Sequence, residues 1–272
     1  MAETCYRHPK RETRVSCSSC GRPICPECMT PSPVGMRCPE CMRQRTRVTH
    51  GAAAFGGSVH APATFALIAI NAAVFLVQIG TGHGVIENAS PLIPEFGLFG
   101  PLVAEGEWYR LFTSAFIHAG LPHIGLNMLM LYFLGQMLEP AIGTPRFVVI
   151  YLTSLFAGSF GALLLTPYSL SFGASGAIFG VLGAAFVVAR GRRLHSLASS
   201  IGVLILINLA FSLGVAGISL GAHLGGLVAG VACALVILAG ERGMLGRRSQ
   251  PAELVLMIAI GVIFFAAAMA IA

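Results

Sequence analysis

The stretch SLGAHLGGLVAGVACALVILA, residues 219–239, decides what kind of protein this is. It is long enough to cross a hydrocarbon core, which needs roughly 17 to 25 apolar residues per helix. It also holds His223, an ionisable group at a depth where such groups are costly and point to function. Six more apolar stretches surround it in the chain: Pro62–Ile79, Leu121–Leu138, Phe147–Thr166, Ser175–Ala189, Leu197–Leu213 and Ala252–Ala272. The one that opens at Ser175 is short. Composition agrees: 56% of the 272 residues are hydrophobic and 10% charged, where a soluble domain carries about 25% charged residues. A water-soluble fold is excluded, and an all-α polytopic membrane protein with a small polar head is expected. All 11 acidic residues are glutamate. The lack of aspartate excludes a Ser-His-Asp triad, an aspartyl protease dyad and an Asp-based calcium or magnesium loop.

The basic residues set the orientation, because Lys and Arg collect in cytoplasmic connections. Nine of the 17 precede residue 50. Arg146, Arg190, Arg192, Arg193, Arg242, Arg247 and Arg248 fall in the alternate connections on the same side, and Arg110 alone lies on the other. Seven spans then put the amino terminus in the cytoplasm and the carboxyl terminus outside, in a multi-pass cell-membrane protein. The long first loop, Gly80 to Gly120, faces outside. It carries Glu107-Trp108-Tyr109-Arg110 and reads either as a partly helical interfacial segment or as an ordered connector.

Seven of the eight cysteines lie in the first 41 residues, as Cys5-x2-His8, Cys17-x2-Cys20, Cys25-x2-Cys28 and Cys38-x2-Cys41. A two-residue gap lets both side chains of a knuckle reach one tetrahedral ion, so eight ligands imply two structural zinc sites. Disulfides are the competing account, and a reducing cytoplasm disfavours them. The basic surplus suits a cytoplasmic protein partner or anionic lipid. Nucleic acid is not expected, because no aromatic platform accompanies the charge. Cys233 reads as a small buried residue.

Three polar clusters interrupt the spans: His118-x4-His123-x3-Asn127, Gly173-Ala174-Ser175-Gly176, and Gly221-Ala222-His223-Leu224-Gly225-Gly226. His123 and Asn127 share a helix face. Counting up from the cytoplasmic ends puts Ser175 roughly 22 Å, His223 about 27 Å, His123 about 24 Å and Asn127 about 18 Å into the membrane. The four therefore fall in one layer. Small residues at Gly176, Gly180 and Ala184, and at Gly221, Gly225, Gly226 and Gly230, let helix backbones approach closely. Ser175 opens its helix, where free N–H groups favour a developing anion. Taken singly, each group has a duller reading: the serine bonded to its own backbone, the histidine a link between helices. Asn71 and Asn208 read as such helix-to-helix contacts.

These residues resemble the rhomboid family of intramembrane serine proteases, over about residues 62 to 250. The marks are Trp108-x-Arg110, His118-x4-His123-x3-Asn127, Gly173 to Gly176, and Ala222-His223-x2-Gly226. The resemblance implies a six-helix core and a Ser175–His223 dyad without an acidic member. It also implies an oxyanion hole from His123, Asn127 and the Ser175 backbone N–H, and no cofactor for catalysis. Phe179, where the family also uses tyrosine, can stack on His223. His118, Gly173 and Gly176 support the site, while Arg110 and Glu139 look structural. The head resembles B-box and related cross-brace fingers, which implies Cys5, His8, Cys25 and Cys28 on one ion and Cys17, Cys20, Cys38 and Cys41 on the other. The expected organisation is a zinc-binding head, 1–47, a linker, 48–61, the core, 62–250, and a seventh transmembrane helix, 251–272. The expected substrates are transmembrane proteins. The rivals are a catalytically inactive relative that binds membrane clients, and a transporter working through its histidines.

Overall fold

The computed structural model describes residues 3–32, 35–43, 60–87, 89–215, 217–245 and 249–272. Most of the expected linker, as far as residue 59, lies outside the described residues, as do Arg45, Arg47, Arg247 and Arg248 of the charge count. The chain divides into two compact units, Met1–His50 and Gly51–Ala272.

The first unit holds two small antiparallel pairs, β1 (Glu3–Thr4) with β2 (Glu12–Thr13) and β3 (Thr30–Ser32) with β4 (Gly35–Arg37), then a short helix, α1 (Pro39–Arg43). Its buried apolar set is Ile24 plus six cysteines, Cys5, Cys17, Cys25, Cys28, Cys38 and Cys41. So few aliphatic side chains cannot offset the entropy of ordering such a chain, and small domains of this kind are held by metals or disulfides.

The second unit is helical. Helix α2 (Pro62–Thr81) is followed by three short helices in the long loop: α3 (Leu92–Phe96), α4 (Gly100–Ala104) and α5 (Arg110–Thr113). The loop is therefore ordered and partly helical. Arg110 is buried within it and ties it together, with Nε donating to Glu107 at 2.6 Å and Nη1 to the carbonyls of Pro94 and Gly97 at 2.7 Å. Trp108 stays exposed. Then come α6 (Leu121–Ile142), α7 (Thr144–Leu165), α8 (Ser175–Gly191), α9 (His195–Gly214), α10 (Leu220–Glu241) and α11 (Ser249–Ile271). Among the described residues, six helices are long and apolar enough to cross a membrane, and α8, at 17 residues, is a shorter apolar helix. Helix α6 runs past the expected end at Leu138 and takes Pro140 into its last turn. Gly143, at φ +88, makes the reversal into α7, a left-handed conformation open mainly to glycine.

Helix α8 is buried on most sides, packed between α6, α7, α9 and α10. Its sequence permits this because it is apolar all round and studded with glycine. A Cβ at Gly226 of α10 would run into the Gly176 carbonyl, and one at Gly230 into that of Gly180. Gly221 and Gly225 lie as close to the backbone of α7 at Gly161 and Ala157. The small residues of α10 thus serve two neighbours at once. Helix α11 docks on α7, where Glu253, fully buried, meets Arg146 Nε at 2.6 Å and the Thr153 hydroxyl reaches the Met257 carbonyl at 3.1 Å.

Glu139 shows how an acidic residue survives inside the bundle. Its carboxylate receives the Ala63 N–H (2.9 Å), the Thr64 N–H and hydroxyl (2.8 and 2.7 Å) and the Thr144 hydroxyl (2.8 Å). It therefore caps the amino terminus of α2 from a neighbouring helix, where an anion is favoured. Glu139→Gln turns an amide N–H2 toward these donors. It should destabilise the fold by on the order of 3 kcal/mol, because buried donors lose their acceptor, and a lowered thermal midpoint in detergent is the readout.

Asn208 differs from the sequence reading, whereas Asn71 agrees with it. Both side-chain amides donate to carbonyls of their own helices, Leu67 and Leu204, at 2.8 Å, but Asn71 also meets the Tyr151 hydroxyl of α7. The carbonyl one turn back is always within reach and needs no partner helix.

Candidate active site

Helix α8 starts at Ser175, and the residues before it set up the site. Gly173 sits at φ +120, and its N–H donates to the Ser114 carbonyl at 2.8 Å, anchoring the turn to the loop below. A Cβ at Gly173 would lie 2.7 Å from Nε2 of His123, so the imidazole reaches across the bare Cα. The Ala119 N–H donates to Nδ1 of His123 at 3.3 Å. A neutral imidazole carries one proton, so that proton sits on Nε2, facing Gly173 as a donor. Asn127, one turn further along α6, spends one amide proton on the His123 carbonyl at 3.0 Å and keeps another.

Gly173→Ala should strain the backbone and displace the His123 ring together. If His123 plays the oxyanion-donor role that the sequence resemblance implies, turnover is expected to fall roughly a hundredfold, with the thermal midpoint lowered far less. A steady-state assay beside a melting curve separates the two effects.

His223, on α10, is buried. Phe179, one turn into α8, lies flat on its ring, with centroids 4.0 Å apart and planes 13° from parallel. Nδ1 of His223 is 2.6 Å from the Ser212 hydroxyl of α9, which also lies 2.8 Å from the Asn208 carbonyl. Ser175, His223, His123, Asn127, Gly173, Gly176 and Phe179 all line one cavity of about 530 Å³. Among the described residues, no hydrogen bond joins the Ser175 hydroxyl to His223 or to any other group. Such bonds are often long in unliganded sites and tighten around substrate.

His118 does not line the cavity. It is buried behind His123, with ring centroids 5.0 Å apart. Its peptide is gripped from α2 by Gln78, whose amide donates to the His118 carbonyl and accepts its N–H, both at 3.0 Å. Sequence reasoning singled out neither Gln78 nor Ser212. Each is a polar residue in an apolar span, and Ser212 follows Asn208 by one helical turn, a spacing that could have drawn notice.

In the head, Cys5, His8, Cys25 and Cys28 form one cluster and Cys17, Cys20, Cys38 and Cys41 a second, with the candidate ligand atoms of each within 4.8 Å of one another. His8 Nδ1 lies 3.3 Å from Cys25 Sγ and 3.4 Å from Cys28 Sγ, and Cys20 and Cys38 sulfurs are 3.9 Å apart. A tetrahedral zinc with bonds near 2.3 Å separates its sulfurs by about 3.8 Å, so the donors fit such an ion. The thiols also differ in acidity. A hydrogen bond from the Cys38 N–H holds Cys17 down at about 6. Burial, followed by the Cys5 and Cys25 thiols, pushes Cys28 up to about 11. A divalent cation at each cluster would bind the cysteines of that cluster as thiolates. Both clusters could bind zinc.

The Rhomboid domain family description matches residues 105–240. Over 206 residues the chain is 35% identical to "Rhomboid protease GluP" of Bacillus subtilis (strain 168), covering 74% of this chain and 40% of that protein. It is 32% identical to "Rhomboid-like protease 3" of Toxoplasma gondii over 143 residues, 49% of this chain and 53% of that one. It is also 45% identical to "RHOMBOID-like protein 1" of Arabidopsis thaliana over 83 residues, 30% of this chain and 21% of that one. The chain thus spans about half or less of the length of these curated relatives.

Proposed function

The chain belongs to the rhomboid family, and from that footing we propose that it is an intramembrane serine endopeptidase, cutting peptide bonds in or near transmembrane segments of other membrane proteins. One observation carries the reading: Ser175, His223, His123 and Asn127, from three helices, line a single cavity. Ser175 Oγ attacks the peptide carbonyl carbon as its proton passes to His223, and the carbonyl electron pair moves onto oxygen. The resulting anion is held by Nε2–H of His123, the free Asn127 amide proton and the Ser175 N–H at the positive end of α8. Collapse breaks the C–N bond, and His223 protonates the leaving amine. Water, giving its proton to His223, then attacks the acyl ester, and the proton returns to Ser175 as the acid leaves. An intact helix shields its own backbone, so substrates should carry small or helix-breaking residues near the outer interface.

A fluorophosphonate probe tests the reading on purified protein. Covalent labelling mapped to Ser175, abolished by His223→Ala, is the expected outcome. A folded protein that the probe leaves unmodified would instead be a client-binding relative without catalysis.

The head, 1–47, carries two structural zinc ions, one on Cys5, His8, Cys25 and Cys28 and one on Cys17, Cys20, Cys38 and Cys41. It precedes a linker, 48–61, the core, 62–250, and the extra helix, 251–272. The Lys and Arg distribution supports a cytoplasmic amino terminus and an outer carboxyl terminus, leaving the head facing a cytoplasmic protein or anionic lipid.

A further inference from the structure

Ser212 occupies the position that an acidic residue holds in a three-membered site, and its two contacts assign the protons. Its oxygen lies 2.8 Å from the Asn208 carbonyl and 2.6 Å from Nδ1 of His223. A hydroxyl has one proton, and a carbonyl oxygen can only accept. The Ser212 proton therefore goes to Asn208, and its lone pairs are left to accept from His223. The imidazole proton must then sit on Nδ1, which leaves the lone pair on Nε2.

We propose that Ser212 is a positioning residue for catalysis: it holds neutral His223 as the Nδ1–H tautomer, with Nε2 bare and available to take the proton of Ser175. The proposal rests on the Ser175–His223 reading and extends it with a third member that carries no charge. Two contacts divide the work. Phe179 on the ring face sets the tilt of the imidazole, and Ser212 sets its rotation within the ring plane. Both Ser212 and His223 are buried, so bulk water does not compete for Nδ1. The choice of a hydroxyl also suits its surroundings. Ser212 belongs to an apolar helix, α9, where an ionised carboxylate would pay heavily for desolvation, while a hydroxyl satisfied through Asn208 does not. Because the base is on α10 and its orienter on α9, the tautomer depends on those two helices staying in register.

The test uses the full chain in lipid bilayers. Nitrogen-15 spectra of labelled histidine should show His223 protonated at Nδ1 and bare at Nε2, with the preference lost in Ser212→Ala. Against a transmembrane substrate, Ser212→Ala should lower kcat roughly ten- to hundredfold, part of the 10²–10⁴ that a positioned base contributes, with KM unchanged. Ser212→Thr should restore kcat. Ser212→Cys, close in size but a poor acceptor, should fold as the wild type and turn over like the alanine variant. A wild-type His223 protonated at Nε2, or a Ser212→Ala enzyme with full kcat, overturns the proposal. A wild-type chain that never reacts with a serine probe defeats the dyad reading separately, and the nitrogen shifts then decide the tautomer by themselves.

Discussion

Replacing Ser175 with alanine is expected to reduce cleavage of a transmembrane substrate by at least about 10⁴-fold, and His223→Ala by a similar factor. The two side chains act as one unit, so the double variant should be no slower than the worse single one. That non-additivity is the informative part. A bystander histidine would contribute its own separate factor, and the losses would multiply. Expression and thermal midpoint of Ser175→Ala should barely change, because Ser175 Oγ has no hydrogen-bond partner to lose among the described residues, whereas His223→Ala gives up the Ser212 bond and the Phe179 stack and should melt lower. Turnover that survives in purified Ser175→Ala, or losses that multiply in the double variant, would remove the dyad from the mechanism.

The second large effect concerns the head. Zinc removal should unfold residues 3–43, since the buried apolar set there is Ile24 and six cysteines and structural zinc contributes about 10–16 kcal/mol of apparent binding free energy at neutral pH. Metal analysis of the full-length protein should return two zinc ions per chain. Cys25→Ser should lose one and leave the Cys17 cluster loaded, and Cys17→Ser should do the reverse. Hydrogen exchange should then rise across the head after chelation while the protection of α6 to α10 stays unchanged. Acid should mimic the chelator, because protons compete with zinc for the thiolates. A metal count of zero in protein prepared without chelators, with the head still protected, would count against both sites.

Much of the architecture could be read from the chain because a membrane imposes so few solutions. Backbone groups in lipid must be satisfied within helices, so each apolar stretch of sufficient length becomes one, and residues 219–239 fall within α10 and its Ser219 cap. The glycine spacing of α10 likewise indicated close packing, since only a missing Cβ allows a neighbouring carbonyl to approach. What the spacing left open was the partner. Gly226 and Gly230 meet α8, whereas Gly221 and Gly225 meet α7. Glu139 could be recognised as structural, but its role as a cap for α2 joins residues 75 and 76 positions apart.

The sequence by itself determined the membrane class and the chemistry available, and it led to the expectation that a hydroxyl, two imidazoles and an amide share one layer, since those depend on hydropathy, residue type and 1.5 Å of rise per residue. Only the tertiary structure decided where the protons sit. The Ala119 N–H at Nδ1 makes His123 a donor through Nε2, and on the proposal made above Ser212, bonded to Asn208, leaves the same ring position of His223 bare, as the base needs. Two identical side chains would then take opposite roles. A histidine tautomer is set by whatever group lies within hydrogen-bond reach of its other nitrogen, and for His223 that group comes from another helix, whose rotation no spacing along the chain specifies.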